Sequence, residues 1–335
     1  MLKNKYAPAS KKFDWIYIFF TGLWTVGAFI DGWAHNNIIS SIESFFTPWH
    51  TVFYAGIILT GILLVVCLYI NYRKGYPWKY ALPREYFFGL AGVIITMIGG
   101  IGDLGWHAIF GIEDGTEALL SPTHLLLAIG GAMAVAAPLH AVWYRHKSEL
   151  IHSLPTIISA TYFFSIITFM LQFLYPFNLP WMAESFVAIN PVQLEYSIMF
   201  GIANILVYTV VVVGIILSTV KHWIFPFGSF TAIFGINTLL MVAMSGYHFE
   251  FVVSSIIAGL IIDALYRYFV NENQHRMSHI HLFAFLVPLV IFSAYMVALF
   301  ITDNIIWTVH MWTGAIFIAG IVGYLMSYLV IPKST

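Results

Sequence analysis

The stretch Asp31–His50, DGWAHNNIISSIESFFTPWH, returns later in the chain as Asp103–His124, DLGWHAIFGIEDGTEALLSPTH. Both copies read Asp, three residues, His, a loop, Glu, three residues, a hydroxyl residue, Pro, one residue, His. The Thr47-Pro48 and Ser121-Pro122 dipeptides have the form of an N-cap followed by proline in the first helical position. Each copy therefore predicts a helix end, a short loop and a capped helix start. The flanking sequence is apolar on both sides, so the two copies define two antiparallel helix pairs.

Composition fixes the solvent for those helices. The chain is 60% apolar, and only 9% of its residues are charged, which places it among polytopic membrane proteins. The one cysteine, Cys67, lies in an apolar run, so there is no disulfide framework and no cysteine-rich metal motif. The basic N-terminal segment runs directly into apolar sequence without a small-residue cleavage site, which reads as a retained first span.

A hydrocarbon core of about 30 Å calls for roughly 20 apolar residues per helix. Ten stretches meet that description: 14–36, 48–71, 86–108, 121–144, 153–175, 195–220, 227–247, 249–270, 280–302 and 306–331. The expected fold is all-α, a single transmembrane domain over 1–335. It opens with a tandem repeat of helix pairs (15–71 and 86–144), and six further spans follow over 153–331. With both termini cytoplasmic, all 14 Lys and Arg residues fall on the inner side, as the positive-inside rule requires. The repeated motif then faces outward, on a side rich in Asp and Glu that attracts cations.

In each copy the Asp and the first His are four residues apart and share a helix face, while the second His sits in the first turn of the next helix. Asp31, His35 and His50, and likewise Asp103, His107 and His124, can thus meet at one depth as metal ligands. Placed without a cation, the carboxylate at a helix C-terminus and a protonated His at a helix N-terminus both oppose the helix dipole. Ion pairing of each Asp with the His one turn on is the competing reading. Glu43 and Glu117 are candidate catalytic residues, as proton carriers, with roles as ligands or as acceptors for an imidazole N–H left open. His248, Glu250, Asp303 and His310 are expected at the same depth as lesser additions.

The Asp-x3-His…His pattern resembles the copper site in the C subunit of the membrane-bound methane and ammonia monooxygenases, over some twenty residues per copy. That resemblance implies a copper-dependent membrane oxidoreductase. The metal expected is a transition metal, copper ahead of iron or zinc, with an electron donor or additional subunits as partners within the lipid bilayer. A cation or metal transporter and a zinc-dependent membrane hydrolase are the alternatives. No phosphate-binding glycine loop, serine nucleophile motif or nucleic-acid-binding patch is present in the sequence.

Overall fold

The structure, a computed structural model, describes residues 5–38, 47–111, 113, 115–145, 154–187, 190–220, 222–246, 248–271 and 276–330. Among these residues it is all-helical, with one isolated β-bridge between Ala183 and Ile305. In chain order the helices are α1 (Lys11–Asn37), α2 (Pro48–Arg73), α3 (Arg84–Phe110), the short α4 (Thr116–Leu120), α5 (Pro122–Val135), the short α6 (Ala137–His140) and α7 (Leu154–Met170). They continue with α8 (Pro191–Val220), α9 (Ser229–Ser245), α10 (Glu250–Tyr266), α11 (Arg276–Thr302) and α12 (Val309–Val330).

Each of the ten expected stretches contains a helix, but they are not equivalent as spans. Among the described residues seven helices are long and apolar enough to cross a membrane, α10 being extended to Val270 by the helical turn that continues it, and α5 with the segment Ala137–Trp143 makes an eighth only if a 51° break is counted within one span. Helices α7 and α9 have 17 residues each. At 1.5 Å per residue that is about 26 Å, short of a full hydrocarbon core. The chain also divides into two compact units, Met1–Met170 and Leu171–Thr335.

In the first unit, glycine brings helix backbones into contact, as small residues do in membrane bundles. A Cβ on Gly27 of α1 would lie 2.5 Å from the Phe53 backbone nitrogen of α2, and one on Gly56 would strike the Trp24 backbone. In the second pair, a Cβ on Gly92 of α3 would lie 2.6 Å from Ala134 N of α5, and one on Gly99 would lie 3.1 Å from Leu127 N. Between the two pairs the glycines meet side chains and not backbone. Gly61 faces the Val93 side chain and Gly131 faces the Trp24 ring, at 3.2 and 3.5 Å from the added Cβ.

The break after α5 has a local cause. Pro138 has no N–H to give the Ala134 carbonyl, and its ring crowds that turn. Two side chains take over the interrupted bonds. Tyr17 Oη donates to Ala134 O at 2.8 Å, Ser159 Oγ donates to Val135 O at 2.6 Å, and Leu139 N donates to Ser159 Oγ at 3.0 Å. No polar backbone group at the break named here is left without a bond, as burial requires.

At the end of this unit remote from the repeated motif, Arg145 turns inward. Its guanidinium grips both carboxylate oxygens of Asp14 at 2.6 and 2.8 Å, and its Nε donates to Glu85 at 2.6 Å. Tyr86 Oη also donates to Asp14 at 2.6 Å. Burial opposes the charge on Arg145, but Asp14 and Glu85 outweigh it and hold the guanidinium well above its ordinary pKa.

The second unit has an aromatic centre in which Phe177 meets Tyr175, Tyr208, Phe251 and Tyr295. Asn190 caps α8, its side-chain oxygen accepting from Gln193 N at 3.0 Å. Helix α9 starts after a glycine, which offers no capping side chain. Asp263 of α10 supplies the missing acceptor, taking the N–H groups of Phe230 and Thr231 at 3.1 and 3.0 Å. The carboxylate thus caps a neighbouring helix.

Candidate metal centre

The local structure of the repeated motif follows from its caps. Thr47 and Ser121 are the N-caps of α2 and α5, accepting the backbone N–H of His50 and His124 at 3.3 and 3.4 Å. The same hydroxyls also contact the imidazoles. Thr47 Oγ1 lies 2.8 Å from His50 Nδ1, and Ser121 Oγ lies 2.6 Å from His124 Nδ1. In the tautomer that carries its proton on Nδ1, the hydroxyl accepts from both the backbone and the ring, and the lone pair is on Nε2. This is the outer contact that orients and polarises a metal-binding imidazole. The spacing hydroxyl-Pro-x-His thus encodes cap, helix start and ring orientation together.

Asp31 and His35 end α1, and Asp103 and His107 end α3, so each helix pair brings its three residues together. In the first set Asp31 Oδ2 lies 3.7 Å from His35 Nε2 and 3.3 Å from His50 Nε2. In the second, Asp103 lies 3.2 Å from His107 Nε2 and 3.6 Å from His124 Nδ1. The imidazole pairs are arranged alike, with centroids 6.1 Å apart at 66° in one set and 5.8 Å at 65° in the other. Within each set, one donor atom from each residue lies within 4.8 Å of the other two.

Those distances bear on the two readings of the motif. A charge-assisted hydrogen bond between imidazole and carboxylate is typically about 2.7–2.9 Å, shorter than any of the four. Ligands placed about 2.0–2.2 Å from a tetrahedral ion stand roughly 3.3–3.6 Å from each other. The three separations that involve Nε2, 3.2–3.7 Å, follow the coordination geometry more closely, whereas His124 Nδ1 is turned to Ser121 and leaves Nε2 as the free donor of that ring. Each set can therefore hold a metal ion.

Burial favours a cation as well. Asp103 is buried, and among the described residues the only ion-pair partners of Asp31 and Asp103 are histidines. Among those residues Asp31 Oδ1 is buried without a hydrogen-bond partner, a costly state for a carboxylate oxygen. Asp103 Oδ1 does better, accepting from Thr123 Oγ1 at 2.8 Å. The first copy has Trp49 where the second has Thr123, so it lacks that donor.

Both sets open into one cavity of about 440 Å³, whose walls include Asp31, His50, Asp103 and His124. Tyr54 lies between them. Its ring stacks on His50, with centroids 5.5 Å apart at 12°, and its hydroxyl is within electrostatic reach of both Asp31 and Asp103. Tyr54 carried no signal in the sequence beyond its place one turn after His50. Glu113 was visible there only as one of several acids. In the structure its Oε2 lies 3.1 Å from His107 Nδ1, the atom that also faces Gly111 O at 3.2 Å.

The remaining expected residues are placed as follows. Glu43 lies outside the described residues, and Glu117 is exposed on α4. His248, Glu250, Asp303 and His310 belong to the second unit. His248 Nδ1 is 3.1 Å from Glu250 Oε1, Asp303 is held by the Ser185 hydroxyl and by the Ser185 and Asn304 N–H groups, and His310 is exposed. Among the described residues these four form no group of three metal-ligating side chains, in contrast to the two sets of the first unit. Comparison of the whole chain with models of known protein families, with curated proteins and with solved structures finds no match.

Proposed function

We propose that this chain is a multi-pass membrane metalloprotein in which Asp31, His35 and His50, and Asp103, His107 and His124, hold transition-metal ions that serve an oxidoreductase reaction. The observation that carries this reading is the pair of ligand sets of similar geometry facing a single cavity. Two imidazoles and a carboxylate suit copper, iron or zinc, and copper binds such donors most tightly. Bound metal would supply Lewis acidity or electron transfer. The chain itself supplies ring orientation through Thr47 and Ser121, and an apolar chamber beside the ligands.

The topology belongs to the same proposal: ten spans, cytoplasmic termini and ligand sets at the outer face, supported by the distribution of Lys and Arg along the sequence. Glu43 and Glu117, which lie in sequence between the two long helices of each pair, act as proton carriers. Electrons arrive from a donor or a further subunit in the bilayer. A zinc-dependent hydrolase is the second reading, with Glu43 or Glu117 as the general base and Glu113 orienting His107 through its Nδ1.

Elemental analysis of the purified protein, beside His50→Ala and His124→Ala, tests the proposal. Stoichiometric metal in the wild type, with half lost in each variant, is the expected result. A wild type without stoichiometric transition metal removes the reading, and zinc alone selects the hydrolase.

A further inference from the structure

The cavity has a definite shape. Trp24, Ile57, Thr96 and Gly131 line it, and each stands seven positions from one of its four ligands: Asp31, His50, Asp103 and His124. Seven residues are two helical turns, so each lining residue shares a face with its ligand and lies about 10 Å deeper along the helix. The chamber thus runs from a collar of carboxylates and imidazoles down into the bundle, along roughly a third of a hydrocarbon core. Below the collar the lining is predominantly apolar, closing on Trp24 and Gly131.

It is also open at the side. Ile58 of α2 and Met97 and Ile101 of α3 line the cavity, yet are more than half exposed on the surface of the protein. In a bilayer that surface faces acyl chains. These side chains alone stand between the chamber and that surface, so the route between α2 and α3 is the one a ligand from the bilayer would take.

Resting on the metal reading above and naming its substrate class, we propose that this chamber binds a single-chain amphipathic lipid, entering from the bilayer. Its oxygen-bearing head lies at the collar, and its alkyl chain lies along the channel with its end against Trp24. A small polar solute would leave the deeper walls without a partner, and a molecule apolar throughout would leave the collar without one. The group presented to the ligand residues is the polar head and not the chain terminus.

The test uses full-length protein in lipid nanodiscs and two isomers of bromo-octanol, because bromine quenches tryptophan fluorescence at short range. One isomer carries bromine at the chain end and the other beside the hydroxyl. The Trp24 contribution is the difference between wild type and Trp24→Phe. Saturable quenching of that contribution by the end-labelled isomer, severalfold stronger than by the other, is the expected result. Ala128→Phe, midway down the chamber, weakens it by about tenfold, whereas Leu125→Phe, exposed on the same helix, leaves it unchanged.

Equal quenching by both isomers, no Trp24-dependent quenching, or a folded Ala128→Phe variant that binds normally would overturn the inference. If Ala128→Phe fails to fold, the comparison of isomers on the wild type decides alone. Metal content is measured on the same samples. Metal-free protein that still shows the positional quenching ends the metal reading and keeps the lipid chamber, and metal-loaded protein without it does the reverse.

Discussion

Ser121 Oγ lies 2.6 Å from His124 Nδ1 while accepting the backbone N–H of the same histidine. Thr47 stands in the same relation to His50, so one hydroxyl both starts a helix and orients an imidazole of the candidate site. Ser121→Ala is expected to cost about 1 kcal/mol of stability through the cap. It should also weaken metal binding at the second set by roughly 10–100-fold, with Ser121→Thr restoring both. Thermal unfolding and chelator competition separate the two effects. A stability loss with unchanged affinity would reduce Ser121 to a cap.

The two sets differ at one donor, since Asp103 has Thr123 and Asp31 has Trp49 in the corresponding place. Thr123→Val should lower affinity at the second set by about tenfold and leave the first untouched. Titrating a chelator into doubly loaded protein checks this, because the variant should change only one of two release steps. Loss at both steps together would mean a single shared centre.

Arg145 neutralises one of the two carboxylates it touches and organises both. Arg145→Met strands Asp14 and Glu85, and should destabilise the protein by about 3–5 kcal/mol. Adding Asp14→Asn and Glu85→Gln should recover most of that loss. Unfolding in detergent reads out both steps, and a triple variant no better than the single one would show that packing, not charge, is at stake.

Tyr17 replaces the backbone donor that Pro138 cannot provide. Tyr17→Phe keeps the ring in the core but leaves the Ala134 carbonyl bare, at an expected cost of about 1–3 kcal/mol. In the double variant Pro138→Ala, Tyr17→Phe, the restored backbone N–H should reduce that cost. Hydrogen exchange around residues 134–139 locates the effect, and equal costs in both backgrounds would argue against this account.

Asp303 gives the second unit an acid-sensitive joint. Partial burial works against its charge, but the Ser185 hydroxyl, the Asn304 and Ser185 N–H groups and nearby His248 outweigh it and hold the carboxyl below its ordinary range. A lowered folded-state pKa contributes stability above the unfolded value, and that contribution is lost as pH falls through the folded one. Melting temperature should therefore show an Asp303-dependent fall beginning below about pH 4. Asp303→Asn should remove it, and an unchanged acid limb in that variant would refute the assignment.

The first helix pair and its partner were readable because two rules coincide in the motif. Ser/Thr-Pro marks a helix start by its capping chemistry, and Asp-x3-His places two candidate ligands on one face by helical period. The grouping of the third residue followed from the short loops. The break at Pro138 was harder to see, because proline within an apolar run ends some helices and bends others, and the outcome rests on Tyr17 and Ser159 reaching across from distant sequence. Arg145 looked like one more basic loop residue, since its partners at positions 14 and 85 come near it only in the folded bundle. Tyr54 and Glu113 were silent for the same reason: neither has a motif, and each acquires meaning only from a neighbour brought up by packing.

The glycine contacts within each helix pair have a consequence for variation. Backbone meets backbone at Gly27, Gly56, Gly92 and Gly99, none of which lines the chamber, so each pair is held together by residues other than those that shape the cavity. Side chains such as Ala28, Ile58, Met97 and Ala128 line the chamber and are not those contacts. Substitutions there should reshape the occupant that fits while the scaffold stays folded, which makes these positions the natural ones to randomise when selecting for altered selectivity.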